Sequence, residues 1–206
     1  MILPVDFYRR PTLEVARDLI GKVLIHKTDK GMAAGAVVEV EAYIGEDDPA
    51  CHAAPGPTRR NAPMYGEPGH AYVYLNYGIH WMMNIVTEAK GSPAAVLIRA
   101  LAPIDGLEAM RRRRGVAAGD HGLCRGPGNL TKAMRITLAE NGADLLGPRL
   151  YLEDGALDIG AVEWGPRIGI NVGTEHPWRA WVAANPAVSR GPGPRGAVKR
   201  RTRPKP

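Results

Sequence analysis

The chain has little of what would mark it as secreted, membrane-spanning or metal-bound. Of its 206 residues two are cysteine, Cys51 and Cys124, and they form no CxxC pair. That excludes a disulfide framework and fits two free thiols in a reducing compartment. No apolar run approaches the roughly 18 residues of a membrane span. The opening MILPVDFYRRP lacks the charged-then-apolar order of a secretory signal, so a cytoplasmic protein with no membrane partner is expected. No HExxH occurs, no HxE with PCxxC occurs, and His70, His80, His121 and His176 show no ligand spacing. No metal and no cofactor are therefore expected. Aromatic residues make up only 6% of the chain, with a single phenylalanine, so any place where they gather carries information.

Charge is present but unevenly placed. The net charge is +6, yet seven of the 27 basic residues lie from Arg190 onward, where no acidic residue occurs. The body before that point is close to neutral, with 20 basic against 21 acidic residues. A nucleic-acid-binding face in the body must come from local clusters such as Arg59 with Arg60, or Arg111 to Arg114. The segment from Ser189 to Pro206 mixes Gly, Pro, Lys and Arg with almost nothing apolar, and is expected to be a disordered tail. The chain as a whole is 45% hydrophobic, and residues 1–188, with no repeat and no linker, read as one folded domain.

Periodicity predicts an α+β fold. Leu13, Val15, Ala16, Leu19 and Ile20 make a helical stripe that ends at Gly21, with Thr12 in the N-cap position. A second helix is predicted over Pro103–Arg114 and a third over Leu130–Met134. Strands are predicted over residues 23–27, 36–44, 71–75, 79–86, 95–101 and 167–171, with short gaps that favour antiparallel pairing in a curved sheet.

In AVVEVEAYI the strand period of two puts Val38, Val40, Ala42 and Ile44 on one face and Glu39, Glu41 and Tyr43 on the other. The segment alone fits the solvent-facing side of an edge strand as well as a chemical face. The aromatics gather in GHAYVYLNYGIHWMMN, where Tyr72 and Tyr74 share a strand face and Tyr77 sits beside Gly78 at a hairpin tip. A large ring on a turn is hard to bury, and suits either a wedge between bases or packing on its own hairpin. His52 follows the acidic stretch Glu46, Asp47, Asp48 and is a ligand, a base or a structural hydrogen-bond partner on local evidence. GPGNLTK, ending at Lys132, lacks the order of a phosphate loop and reads as a turn before a helix, with a structural turn and a phosphate-holding N-terminus both open.

Taken together and in order, EVEAYIGEDDPACHAAPGPTRRN, PGHAYVYLNYGIHWMMNI, VLIRALAPIDGLEAMRRRR and LCRGPGNLTKAM resemble the alkyladenine (3-methyladenine) DNA glycosylase family. The similarity runs from VARDLIGKVL near the start to RIGINVG and WVAANPAVS near the end. It implies a single α+β domain on a curved, mostly antiparallel sheet with flanking helices and a protruding hairpin that enters DNA, similar to the C-terminal domain of formyltransferases. It implies a monofunctional base-excision-repair enzyme that flips 3-methyladenine, 7-methylguanine, hypoxanthine or etheno-adenine out of duplex DNA and hydrolyses the N-glycosidic bond. Glu41 of EAY matches the family's general base. Arg99 of LIRAL and the backbone carbonyl of Val182 match the groups that hold the attacking water. Tyr43, Tyr74 and His52 match residues around the flipped base, Asn84 of MMN matches the gatekeeper against guanine, and Tyr77 matches the inserted residue. Arg59, Arg60 and Lys132 are candidate backbone contacts. The implied partner is damaged double-stranded DNA, met as a monomer without a cofactor, in the cytoplasm or on the nucleoid if the source is bacterial. No lysine matches a nucleophile position, so lyase chemistry is not expected.

Two other readings stay open in the sequence. One is a non-catalytic nucleic-acid-binding module of related fold. The other is an inverting sugar hydrolase using Glu39 and Glu41, which lie about 7 Å apart on one strand face.

Overall fold

The computed structural model describes residues 1–115, 119–155 and 160–189. A helical turn, α1 (Val5–Tyr8), and helix α2 (Thr12–Leu19) lead into strands β1 (Val23–Thr28) and β2 (Gly31–Ile44). After a long excursion come the hairpin strands β3 (Ala71–Asn76) and β4 (His80–Val86), then β5 (Ala94–Asp105). Helices α3 (Leu107–Arg114) and α4 (Pro127–Met134) follow, and three short strands close the fold: β6 (Leu150–Glu153), β7 (Val162–Gly165) and β8 (Arg179–Val182).

All strand pairs are antiparallel, and the sheet order is β3-β4-β5-β2-β1-β6, with β8 pairing β2 and β7 pairing β8. The long strand β2 thus has two neighbours in succession along one edge, β1 beside its first half and β8 beside Glu39 to Glu41. One face of the sheet carries Val40, Ala42, Val73, Ile85 and Ile98, packed with Leu19 of α2 and Leu130 and Met134 of α4 into the main core. The opposite face carries Tyr72, Val86 and Ala95, covered by Cys51, Ala53 and Met64 from the segment between β2 and β3.

The period-two reading of β2 holds, but its polar face is not exposed. Glu39 and Glu41 are fully buried, because loops with no periodicity of their own fold across that face. Four further expectations are corrected. Residues 167–171 form no strand: the N–H of Ile168 donates to the Glu41 carboxylate instead of a neighbouring strand. The segment from Pro103 stays in β5 as far as Asp105, and α3 starts only after Gly106, whose φ of 76° turns the corner. Thr12 is the first helical residue and not the cap, since Pro11 precedes it and its hydroxyl is drawn to Thr87 and Glu88. Ser189, placed with the tail, is held in the body by Glu39, which accepts from its backbone N–H and its hydroxyl at 2.7 Å each. The expected tail from Arg190 lies outside the described residues. The third helix begins at Pro127, three residues before its apolar stripe.

No helix among the described residues is long and apolar enough to cross a membrane.

Candidate active site

A cavity of about 360 Å³ opens on the polar face of the sheet. Tyr43, His52, Tyr74, Tyr77, Asn84 and Arg99 all line it. They come from β2, the loop after it, the β3–β4 hairpin with its tip, and β5, so residues spread from position 43 to 99 converge on one volume. A cavity of this size with apolar walls and a few fixed polar groups has the character of a small-molecule site.

Strand pairing explains the convergence. Tyr72 pairs Asn84 and Asn84 pairs Leu97, while Leu97 pairs Glu41, so these residues lie in one row across β3, β4, β5 and β2. The Asn84 amide donates to the carbonyl of Tyr72 at 3.1 Å, which fixes its rotamer at the cavity wall. Arg99 is the extra residue in β5 where Glu39 pairs Ala100 and Val40 pairs Ile98. Such a bulge re-aims a side chain. Here the guanidinium reaches Glu39 at 3.0 Å and Glu41 at 3.1 Å.

Glu41 does not itself line the cavity. Its carboxylate lies immediately behind the wall, and three lining residues hold it. Oε1 accepts from the N–H of Ile168 at 2.6 Å, and Oε2 accepts from the Tyr43 hydroxyl at 2.9 Å and faces Nη1 of Arg99. A carboxylate offers roughly four lone-pair directions, so one remains for a water molecule. Glu39 has one donor more, three of its four on Oε1. It takes Arg99, Arg179 at 2.7 Å, and both donors of Ser189. Two carboxylates and two guanidiniums thereby balance in a buried site. Burial works against charge on Arg99, but Glu41 and Glu39 outweigh it and hold its pKa above the ordinary value.

The rings of the wall are locked from behind. Burial, with Glu41 close by, pushes the Tyr43 hydroxyl well above the usual tyrosine range, so it stays a donor. The guanidinium of Arg167 lies 4.7 Å from the Tyr43 ring centroid and 5.1 Å from that of Trp178. Arg167 also binds Asp48 through two hydrogen bonds, of 2.6 and 2.8 Å, and donates to the carbonyl of Ala42. Nδ1 of His52 lies 2.9 Å from the Tyr72 hydroxyl, which burial has raised to about 12, and the His52 ring meets Tyr74 edge-on at 4.5 Å. Burial and then Arg60 lower the His52 pKa, so the imidazole is neutral at pH 7. Asn61 holds the loop by donating to the carbonyls of His52 and Gly56.

Tyr77 stands at the tip between β3 and β4, 86% exposed. Its φ of 49° is in the left-handed region, an unusual backbone for a bulky residue. Arg60 sits 5.2 Å from the Tyr74 ring centroid, and Arg59, next to it in the chain, is exposed. Val182, expected beside the attacking water, does not line the cavity, and neither do the candidate backbone contacts Arg59, Arg60 and Lys132. Val182 lies in the main core, and its carbonyl accepts from the N–H of Asn185 at 3.3 Å. Lys132 lines a different cleft. Residues that sequence reasoning missed are Arg167, Ile168, Asp48 and Arg179. The only signal for them was an acidic stretch and a buried-looking RIGIN, neither of which names a partner. Both cysteines are free, as expected, and both are buried.

The profile of the family described as "Methylpurine-DNA glycosylase (MPG)" matches residues 6–186. A protein of Methanocella arvoryzae named "Putative 3-methyladenine DNA glycosylase" is 52% identical over 197 residues, covering 93% of this chain and 98% of its own. Proteins of the same printed name from Prosthecochloris aestuarii and Chlorobaculum parvum are 46% and 47% identical, each spanning about nine tenths of both chains. On these matches the chain belongs to the methylpurine-DNA glycosylase family.

Proposed function

We propose that this protein excises alkylated and deaminated purines from duplex DNA by hydrolysis, with Glu41 activating the attacking water. The observation that carries the reading is the Glu41 carboxylate: fully buried, held by three residues of an aromatic cavity, and left with one free lone-pair direction. A buried carboxylate so placed removes a proton from water and stabilises positive charge developing on the sugar. In this reading the attacking water approaches from the cavity side, where Tyr43, Arg99 and Ile168 stand.

The cavity walls suit the substrate. Tyr43 and Tyr74 offer π-faces, and a methylated purine carries the positive charge that such faces attract. A base enters the cavity only after leaving the stack, at a cost of a few kcal/mol that is least for a damaged pair. Tyr77 supplies the ring that fills the gap. Asn84, rigid at the wall, excludes the exocyclic amino group of guanine. Among the described residues no lysine lines the cavity, which favours direct hydrolysis over a Schiff base. Glu39 takes four donors, three of them from Arg179 and Ser189, which do not line the cavity, so a sugar hydrolase built on the Glu39–Glu41 pair has no support.

The test is incubation with duplexes each carrying one 3-methyladenine, 7-methylguanine, hypoxanthine or etheno-adenine, followed by alkali to cleave abasic sites. Lesion-dependent breaks in alkali only are expected. Binding without any breaks on every lesion would make the chain a recognition module.

A further inference from the structure

A basic cleft of about 580 Å³, larger than the aromatic cavity, lies on the other side of the hairpin. Lys30, Arg112, Arg113, Lys132 and Arg135 line it, and no carboxylate among the described residues does. These five cations come from the β1–β2 turn, α3, α4 and the residue that ends α4. Arg135 pairs with Asp29 at 3.2 Å, outside the cleft lining. Lys30 and Lys132 have no ion pair among the described residues, and the nearest carboxylate oxygen to Arg112 is that of Glu108 at 3.9 Å. Burial first, and then the neighbouring Arg135 and Arg112, hold the Arg113 pKa below its ordinary value, as expected where like charge is only partly relieved.

The cleft and the aromatic cavity share two partitions. At the hairpin tip Tyr77 faces the cavity, while Ile79, 72% exposed, faces the cleft together with Trp81. At the start of α4 Pro127 faces the cavity and Gly128 the cleft. Anything that accepts Tyr77 into its interior therefore lies across both mouths.

We propose that this cleft is a second binding surface for the same duplex, holding the phosphodiester backbone beside the point where Tyr77 enters, with Lys30, Arg112 and Lys132 binding its phosphates. The proposal rests on the glycosylase reading. A polyanion is the ligand class selected by five converging cations of which only Arg135 has a close carboxylate partner, and backbone binding of this kind sets register and affinity without reading sequence. Ile79 and Trp81 give the floor an apolar surface against the sugar edge.

The test compares salt dependence of binding to a short duplex with one hypoxanthine. The protein, the triple variant Lys30→Gln/Arg112→Gln/Lys132→Gln and a control triple Arg9→Gln/Arg17→Gln/Lys22→Gln are titrated over a range of salt. The control removes the same charge from ion-paired residues near α1 and α2. Each phosphate left without its cation lowers the log-log slope by about 0.9, so the cleft variant is expected to give up about 2 to 3 units and the control none. An unchanged slope in the cleft variant, or equal reductions in both triples, overturns the proposal. Excision by the unmodified protein on that duplex judges the underlying reading separately: if it excises while the slopes agree, only the cleft assignment fails.

Discussion

Asp48 and Arg167 form a bidentate ion pair in full burial, and removing either partner strands the other charge. Arg167→Met is expected to destabilise the protein by about 3–5 kcal/mol, a fall on the order of 10 °C in melting temperature. The double variant Arg167→Met/Asp48→Asn, which leaves no isolated charge, is expected to recover part of that stability in the same melt. The pair also sets an acid limit. Burial opposes ionisation of Asp48, but the Arg167 hydrogen bonds and charge outweigh it and hold the carboxyl below its ordinary value of 3.8. Its contribution to stability is therefore complete above about pH 4 and is lost as pH falls through the lower folded-state pKa. A pH series of denaturant melts is expected to show that acid loss in the parent and a smaller one in the double variant. Glu41 and Tyr43 were legible in the sequence because a period of two and a short motif are local. Arg167 was not, since its partner is 119 positions away and no pattern in either segment announces the pairing.

Among the elements, the β3–β4 hairpin and the β5–α3 corner behave oppositely. Tyr77 is exposed and strained, holding a left-handed backbone that costs a non-glycine residue roughly 1 kcal/mol or more. Tyr77→Gly is expected to leave the melting temperature unchanged or slightly raised while excision at limiting protein falls. A drop in stability matching the drop in activity would make Tyr77 a packing residue instead. Gly106 is structural: its φ is positive, and an added Cβ would run into the carbonyl oxygen of Met32. Gly106→Ala is expected to cost on the order of 2 kcal/mol or more, read as a shifted denaturation midpoint. Alternation and turn chemistry made the five long strands readable. The short strands β6, β7 and β8 were not, because four-residue segments carry too few periods to stand out, and Pro103 at the end of β5 imitates a helix start.

For the whole molecule, the aromatic cavity lies on one face of the sheet and the main core on the other, with loops closing the cavity face. Family membership was legible from ordered segments spread along the body, whereas the burial of Glu41 depends on loops that only the folded chain reveals. The charge of the chain is also divided, since a near-neutral body is followed by seven basic residues from Arg190 onward. Deleting residues 190–206 is expected to lower the log-log salt slope of duplex binding, by about 0.9 for each phosphate that the segment neutralises, with excision at saturating protein unchanged. Equal slopes for the full and shortened chains would show that the segment does not touch DNA.

If Glu41 activates water while the surrounding rings recognise the base, chemistry and recognition separate on one substitution. Glu41→Gln keeps the size and shape, turns one of the two acceptor oxygens into a donor, and loses both proton removal and the negative charge that stabilises the transition state. Single-turnover excision and equilibrium binding, measured on the same hypoxanthine duplex, read the two properties independently. The expected result is a fall in excision of about a thousandfold or more with lesion affinity nearly unchanged; near-normal excision by Glu41→Gln would contradict the assignment.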